Sequence, residues 1–125
     1  MTKRKILVID DSVDYTRLVK LTLETVGEFE VKIESDPLKA LQTTREFLPD
    51  VILLDYIMPG MNGDDFASQL KGDPDLEGTP IVFLTGSLQP DSTEGKKIFA
   101  DGICLTKPAA VDDIMDAIDD AMGRA

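Results

Sequence analysis

The sequence predicts an α/β protein with a single five-stranded parallel sheet and helices on both faces of that sheet. Short runs of apolar, β-forming residues, such as Ile6–Ile9 and Val51–Leu54, show no polar alternation, which is typical of parallel strands buried on both faces. Longer segments with helical periodicity separate these runs. Strands that alternate with helices favour a parallel sheet covered by helices.

The first strand is predicted over Ile6–Ile9, and the acidic residues Asp10 and Asp11 follow it directly. Ser12 is a good N-cap for a helix that ends at Gly27. The apolar residues expected on the buried face of this helix are Val13, Leu18, Val19, Leu21, Leu23 and Val26.

Residues 29–35 alternate between apolar and charged side chains, which predicts an edge strand with one wetter face. Asp36 and Pro37 then begin a second helix, because proline suits the first helical position, and Pro49 ends it. The inner stripe of this helix is expected to contain Leu38, Leu41, Phe47 and Leu48.

The third strand is predicted over Val51–Asp55, and the residues after it, Met58–Gly63, are rich in turn formers. A short third helix follows over Gly63–Leu70, and a loop over residues 71–80. The side chains expected to face inward from the third helix are Phe66, Ala67 and Leu70.

The fourth and fifth strands are predicted over Ile81–Leu84 and Ile103–Leu105. Between them, Gln89–Ala100 is predicted as a weaker helix, since it contains Gly95 and few apolar residues. A closing amphipathic helix has its apolar face at Val111, Ile114, Met115, Ile118 and Met122.

Length and composition limit the class of protein. A chain of 125 residues predicts one domain over residues 1–125. The 24 acidic residues outnumber the 13 basic ones and give a net charge of -11. Such a surface repels nucleic-acid backbones and anionic membranes. We therefore expect neither direct nucleic-acid binding nor membrane binding.

Two residue counts narrow the chemistry further. The chain has no histidine, which excludes histidine-based catalysis, histidine metal ligands and an internal phosphohistidine. Its one cysteine, Cys104, excludes an internal disulfide and fits a reducing compartment. The apolar run near the N-terminus is too short for a signal peptide or a membrane span. These features predict a cytoplasmic location.

Four of the predicted strands end at polar residues. The first ends at Asp10 and Asp11, the third at Asp55, the fourth at Thr85 and the fifth at Lys107. Any one of these residues has an ordinary explanation as a cap or loop residue. Together they mark the carboxyl ends of the strands, where open α/β sheets bind their ligands.

These residue types permit one kind of chemistry. Clustered carboxylates repel one another unless a cation lies between them, and Mg²⁺ usually binds one or two carboxylates together with water and phosphate oxygens. The Lys107 ammonium suits a phosphate, and the Thr85 hydroxyl can donate to a phosphoryl oxygen. An aspartate such as Asp55 can act as a phosphoryl nucleophile. The pattern therefore predicts a magnesium site at which one aspartate is phosphorylated.

With this set of residues the chain resembles the receiver domains of bacterial response regulators. Asp10 and Asp11 correspond to the acidic pair of that family, Asp55 and the loop after it to the phosphoacceptor segment, Thr85 to the switch hydroxyl, and Lys107 with the next proline to the Lys-Pro pair. The resemblance covers essentially the whole chain. It implies a flavodoxin-like sheet with strand order 2-1-3-4-5.

The resemblance also implies residue roles and a phosphorelay. Asp55 would accept a phosphoryl group from a phosphohistidine on a sensor histidine kinase or a phosphotransfer protein. Asp11 would bind Mg²⁺ directly, Asp10 would act largely through water, and Asp55 and the backbone carbonyl of Ile57 would complete the metal shell.

The remaining implied roles concern the output. Lys107 would pair with Asp55 and then with its phosphate, and Thr85 would move toward the phosphate and bias a two-state surface. That surface would bind a downstream protein target or an output domain, and the chain could form a homodimer. It would catalyse only its own phosphorylation and dephosphorylation. Because the chain ends with its last predicted helix, we expect a stand-alone receiver or a part of a longer regulator.

Two positions depart from the family pattern, Cys104 and Ala109 after the Lys-Pro pair, where an aromatic residue is also common. Many receivers have an aromatic residue three positions before the conserved lysine, and its ring swings inward on activation. Cys104 occupies that position here. Our hypothesis is that Thr85 and the loop after it report the phosphate instead.

Three other classes fit the sequence less well. A degenerate receiver that binds partners constitutively would be expected to lack one of the five site residues. An Asp-nucleophile phosphatase would place a second aspartate two residues after Asp55, where Ile57 stands. A flavin-binding flavodoxin needs a phosphate-binding loop, and Asp10 and Asp11 would repel the phosphate of the flavin.

Overall fold

The computed structural model describes residues 3–27, 29–55, 57–58, 61–85, 96–99, 102–106 and 111–123. For residues 57–58, 61–64, 85, 96–99, 102, 104 and 106 it describes only the backbone.

The described residues contain eight strands and four α-helices. The strands are β1 (Arg4–Ile9), β2 (Phe29–Glu34), β3 (Val51–Asp55), β4 (Ile57–Met58), β5 (Met61–Asn62), β6 (Ile81–Thr85), β7 (Lys96–Phe99) and β8 (Gly102–Thr106). The helices are α1 (Val13–Val26), α2 (Ala40–Phe47), α3 (Gly63–Lys71) and α4 (Val111–Gly123), and a 3₁₀ turn, Pro37–Lys39, leads into α2.

The predicted parallel sheet with covering helices is confirmed. Its strand order is β2-β1-β3-β6-β8-β7, and β2, β1, β3 and β6 are parallel neighbours in the order expected for the first four strands. β2 lies at an edge of the sheet, as its alternating pattern predicted. β4 and β5 form a separate two-stranded antiparallel sheet, which the sequence did not predict.

The far edge of the sheet differs from the prediction of five parallel strands. β8 pairs with β6 in parallel, and a sixth strand, β7, pairs with β8 in antiparallel orientation. The helix predicted over Gln89–Ala100 is therefore wrong for Lys96–Phe99, and the rest of that segment lies outside the described residues. The segment has few apolar residues for a helical face, so pairing with β8 outweighs local helical preference.

The sheet separates two apolar cores because successive side chains of a strand point to opposite faces. Ile6 and Val8 of β1 belong to a core that includes residues of α1 and α4. Leu7 and Ile9 of the same strand belong to the other core, which includes residues of α2 and α3. Helices therefore cover both faces, and the continuous apolar runs of β1 and β3 follow from that burial.

The face that α1 buries is narrower than predicted. Val19 and Leu23 are buried and lie four residues apart, on one side of the helix. Leu18 and Leu21 are 61% and 67% exposed, and Val13 and Val26 are each half exposed. The prediction was wrong for these four residues because the apolar residues of α1 spread over two sides of the helix and only one side meets the sheet.

The inner stripe of α2 was also predicted only in part. Leu41 and Phe47 pack against the core, but Leu38 is 84% exposed in the 3₁₀ turn and Leu48 is 60% exposed. Thr43 and Thr44 are buried instead. The Thr43 hydroxyl donates to the Glu34 carboxylate, and the Thr44 hydroxyl donates to the Ala40 carbonyl. These hydrogen bonds compensate for the burial of the two polar groups.

The predictions for α3 and α4 are confirmed at their central residues. Phe66, Ala67 and Leu70 are buried, as are Ile114 and Ile118. The small residues Ala117 and Ala121 complete the buried face of α4, and Met115 and Met122 are partly buried beside it. In the part of the chain that the structure describes, no helix is both long enough and apolar enough to cross a membrane.

Candidate functional site

The strand register places two predicted site residues side by side. Ile9 at the end of β1 pairs with Leu54 of the parallel strand β3, so the next residues, Asp10 and Asp55, lie level at the carboxyl ends of the two strands. The Asp10 amide also donates to the Glu34 carbonyl of β2 at 3.2 Å. Hydrogen bonds of the sheet thus fix the backbone that carries these carboxylates.

The carboxylates differ in exposure. Asp10 is fully buried and Asp55 is 7% exposed, whereas Asp11 is exposed to solvent. The Asp10 Oδ1 atom accepts a hydrogen bond from the Ser12 amide at 2.9 Å. Ser12 occupies the N-cap of α1 as predicted, but its own side chain makes no capping bond. This support for Asp10 was not predicted from the sequence, although an aspartate that accepts from the amide two residues further on is a known turn signal.

The three aspartates form one cluster. Asp10, Asp11 and Asp55 each offer a carboxylate oxygen, and these oxygens lie within 4.8 Å of one another. Three negative charges so close together, two of them buried, repel one another unless a cation neutralises them. Hard oxygen donors with an exposed member suit Mg²⁺, which keeps part of its water shell. The donor set therefore fits the predicted magnesium site.

The other predicted site residues are described only in part. Ile57 lies two residues after Asp55 and begins β4, where its backbone pairs with Asn62. Thr85 is the last residue of β6. The residue before it, Leu84, is the register partner of Asp55 in the neighbouring strand β3. The side chains of Ile57, Thr85 and Cys104, and the whole of Lys107, lie outside the described residues.

The structure thus brings Asp10, Asp11 and Asp55 together and places the backbone of Thr85 at the end of the adjoining strand. Thr85 also pairs with Thr106 of β8, the residue before Lys107 in the chain. The carboxyl ends of β1, β3, β6 and β8 therefore lie together at one end of the sheet.

Comparisons with known proteins agree with this arrangement. Residues 6–119 match the family model described as the response regulator receiver domain. The chain is 38% identical over 112 residues to the response regulator PleD of Caulobacter vibrioides, covering 89% of this chain and 24% of PleD. It is 39% identical over 83 residues to the DNA-binding response regulator MtrA of Mycobacterium tuberculosis, covering 66% of this chain and 35% of MtrA.

Solved structures of response regulators share the fold of this chain. The chemotaxis response regulator CheY4 of Vibrio cholerae superposes with a TM-score of 0.79 at 29% identity, over 96% of this chain and 99% of that one. A response regulator receiver domain protein of Clostridium thermocellum superposes with a TM-score of 0.77 at 28% identity, over 97% of this chain and 95% of that one. By contrast, the chain spans only 24% of the length of the curated relative PleD and 35% of that of MtrA.

Proposed function

The chain belongs to the response regulator receiver domain family of two-component systems, and we propose that it is a phosphorylation switch whose phosphoacceptor is Asp55. The observation that carries this proposal is the cluster of carboxylate oxygens of Asp10, Asp11 and Asp55 within 4.8 Å of one another. Three like charges so close together, two of them buried, destabilise the folded state. Mg²⁺ bound among these carboxylates would offset their repulsion and favour the binding of a phosphoryl group.

The phosphoryl transfer would take place on Asp55. One of its carboxylate oxygens forms a bond to the phosphorus of a phosphohistidine, and the phosphorus–nitrogen bond of the donor breaks with its electron pair on the imidazole nitrogen. The donor histidine lies outside these 125 residues, because they contain none. Apart from the formation and loss of this acyl phosphate, we propose no further reaction.

Asp10 and Asp11 would hold the metal, with the backbone carbonyl of Ile57 as a further ligand. Bound Mg²⁺ would neutralise the phosphoryl oxygens and the carboxylates around them. The burial of Asp10 and its bond from the Ser12 amide keep that carboxylate oriented. The exposure of Asp11 leaves a side of the cluster open to solvent and to the donor.

Thr85 and Lys107 would sense and bind the phosphate. The backbone of Thr85 follows Leu84, which lies level with Asp55, and Lys107 follows β8 directly in the chain. A hydroxyl and an ammonium at these strand ends can donate to phosphoryl oxygens. The loops that carry them would then shift between two states and alter the surface that a target protein binds.

The partners we propose are a sensor histidine kinase or phosphotransfer protein as donor and a downstream protein or output domain as target, in the cytoplasm. We do not propose that this domain binds nucleic acid itself, because its net charge of -11 opposes contact with a phosphate backbone. The relative MtrA is a DNA-binding response regulator. A regulator of that kind could bind DNA through a segment outside the matched region.

Phosphorylation with a small donor tests the proposal. The protein is incubated with acetyl phosphate, with and without Mg²⁺, and its intact mass is measured. We expect a mass increase of one phosphoryl group only when Mg²⁺ is present, and none in Asp55→Asn. The control Asp14→Asn removes an exposed carboxylate from the first turn of α1 and should be modified as the wild type is. A wild-type protein that stays unmodified would instead favour a constitutive binding module.

A further inference from the structure

The strand β2 ends the sheet, and among the described residues no strand pairs with the outer side of its backbone. Exposed edges of this kind can pair with a strand of another molecule, and folded proteins usually contain some feature that prevents it. The charged side chains of Glu30 and Lys32 on β2 are exposed, which is one such feature. A second and more specific one lies at Val31.

The backbone polar groups of Val31 point to the open edge. In a strand, the N–H and C=O groups of one residue point to one side and those of the next residue point to the opposite side. The Glu34 carbonyl points toward β1, where it accepts the hydrogen bond from the Asp10 amide. Val31 is an odd number of residues away from Glu34, so its N–H and C=O groups point away from β1.

Two side chains of α1 bind both of these groups. The Lys20 Nζ atom donates to the Val31 carbonyl at 2.6 Å, and the Val31 amide donates to the Glu24 Oε2 atom at 3.1 Å. Lys20 and Glu24 lie one turn apart on α1 and form an ion pair of 3.1 Å with each other. One residue of the edge strand therefore has its donor and its acceptor occupied in the way that a neighbouring strand would occupy them.

The electrostatics favour this arrangement. Hydrogen bonds that involve an ionised group are stronger than neutral ones. The Val31 amide and the Lys20 ammonium lower the pKa of the Glu24 carboxyl, so the carboxylate is ionised at neutral pH. The two side chains are 41% and 36% exposed, which leaves the pair at the surface, where an incoming strand would have to displace it.

We propose that Lys20 and Glu24 close the β2 edge to strand addition and that the partner they exclude is the same edge of a second copy of this chain. The pair supplies a donor to the carbonyl and an acceptor to the amide, so a second strand gains no new hydrogen bond at Val31. Removing the pair leaves both groups available to the β2 strand of another molecule. A homodimer of the wild-type protein would then have to use a different surface.

A double variant tests this inference. Lys20→Ala with Glu24→Ala removes one cation and one anion from the edge, and Arg4→Ala with Asp119→Ala removes the same charges from an exposed ion pair of 3.2 Å elsewhere. The mass in solution is measured by light scattering over a wide range of protein concentration. We expect the first variant to self-associate at concentrations where the wild type and the control do not.

Hydrogen exchange of the Val31 amide locates the contact. In dilute solution we expect this amide to exchange roughly five to ten times faster in the edge variant than in the wild type, because it loses a charge-assisted hydrogen bond. At high concentration it should become protected again as the strands pair. Glu24→Gln, whose amide oxygen can still accept from Val31 but carries no charge, should fall between the wild type and the edge variant.

Three results would overturn the inference. One is an edge variant with the same mass and the same Val31 exchange as the control. Another is faster exchange at Val31 without self-association at any concentration. The third is self-association that leaves the Val31 amide unprotected, since the contact would then lie elsewhere. Should the double variant fail to fold by circular dichroism, Glu24→Ala alone is compared with Asp119→Ala by the same criteria.

Discussion

Asp10 and Asp55 lie level with each other at the ends of two adjacent parallel strands, and both residues are buried. Like charges in such a position destabilise the folded state. Asp11 adds a third carboxylate whose oxygen lies within 4.8 Å of the other two. We therefore expect the stability of the domain to depend on a cation bound among these carboxylates.

The first prediction is that Mg²⁺ stabilises the folded protein. A ligand that binds only the native state at a hundred times its Kd adds about 2.7 kcal/mol to the free energy of unfolding. We expect urea denaturation to show a gain of this size in the wild type and a much smaller one in Asp11→Asn. In the absence of Mg²⁺, Asp11→Asn should be at least as stable as the wild type, because it removes repulsion.

Asp14→Asn is the control for that measurement, since Asp14 is exposed in the first turn of α1 and is not one of the clustered aspartates. Its response to Mg²⁺ should equal that of the wild type. An equal response in Asp11→Asn would contradict the metal site.

The second prediction concerns acid and the ion pair between Arg45 and Asp73. The Arg45 Nε atom donates to the Asp73 Oδ2 atom at 2.8 Å, and the Asp75 amide donates to Oδ1 at 3.0 Å. The Arg45 guanidinium, followed by this amide, lowers the pKa of Asp73. The ionised carboxylate therefore stabilises the folded state above the unfolded pKa, about 3.9, and that contribution is lost as the pH falls through the folded pKa.

Asp73→Asn should accordingly be less stable than the wild type at neutral pH, and the difference should close below about pH 4. Urea midpoints measured over this pH range check it. Asp75→Asn removes a charge from the same loop and should show no such closing difference. A gap between Asp73→Asn and the wild type that persists in acid would mean that the charge of Asp73 is not the cause.

The third prediction concerns Gly27, which ends α1. A Cβ atom at this position would lie 2.8 Å from Cδ2 of Phe29, and Phe29 is buried in the core. The ring would have to move, so Gly27→Ala should cost about 1–3 kcal/mol of unfolding free energy. At Gly78 a Cβ atom would meet nothing within 4 Å. Gly78→Ala should therefore be neutral or stabilising by up to about 1 kcal/mol, and equal midpoints for the two variants would contradict the packing argument.

The fourth prediction concerns Leu48, whose φ of 53° lies in the left-handed region. That conformation costs a residue with a Cβ atom about 1–2 kcal/mol, and glycine adopts it freely but loses about 0.5–1 kcal/mol of backbone entropy. Leu48 is 60% exposed, so little packing is lost on replacement. We expect Leu48→Gly to be neutral or up to about 1 kcal/mol more stable in thermal unfolding.

Leu21→Gly is the matched control for that variant. Leu21 is 67% exposed but lies inside α1, where glycine costs about 1 kcal/mol. The two Leu→Gly replacements should therefore change the free energy of unfolding in opposite directions, or Leu21→Gly should lose at least about 1 kcal/mol more than Leu48→Gly. A similar loss in both would mean that Leu48 is not strained.

The sequence alone determined the features that depend on residues close together in the chain. The continuous apolar runs of β1 and β3 could be predicted because burial on both faces leaves no polar alternation. The alternation of β2 predicted an edge strand with one wetter face, and the acids that end the central strands were visible in the same pattern. The candidate site followed from the same pattern. Asp10, Asp11 and Asp55 were identified by position, since polar residues that follow parallel strands lie together at the carboxyl end of the sheet.

Tertiary structure decided what depends on distant partners. Leu18 and Leu21 stay exposed on α1 because the sheet meets only the side of the helix that carries Val19 and Leu23. Lys96–Phe99 pairs with β8 instead of forming a helix, since the neighbouring strand offers hydrogen bonds that local propensity does not count. The sequence shows which residues are apolar, but only the tertiary contacts determine which of these side chains are buried.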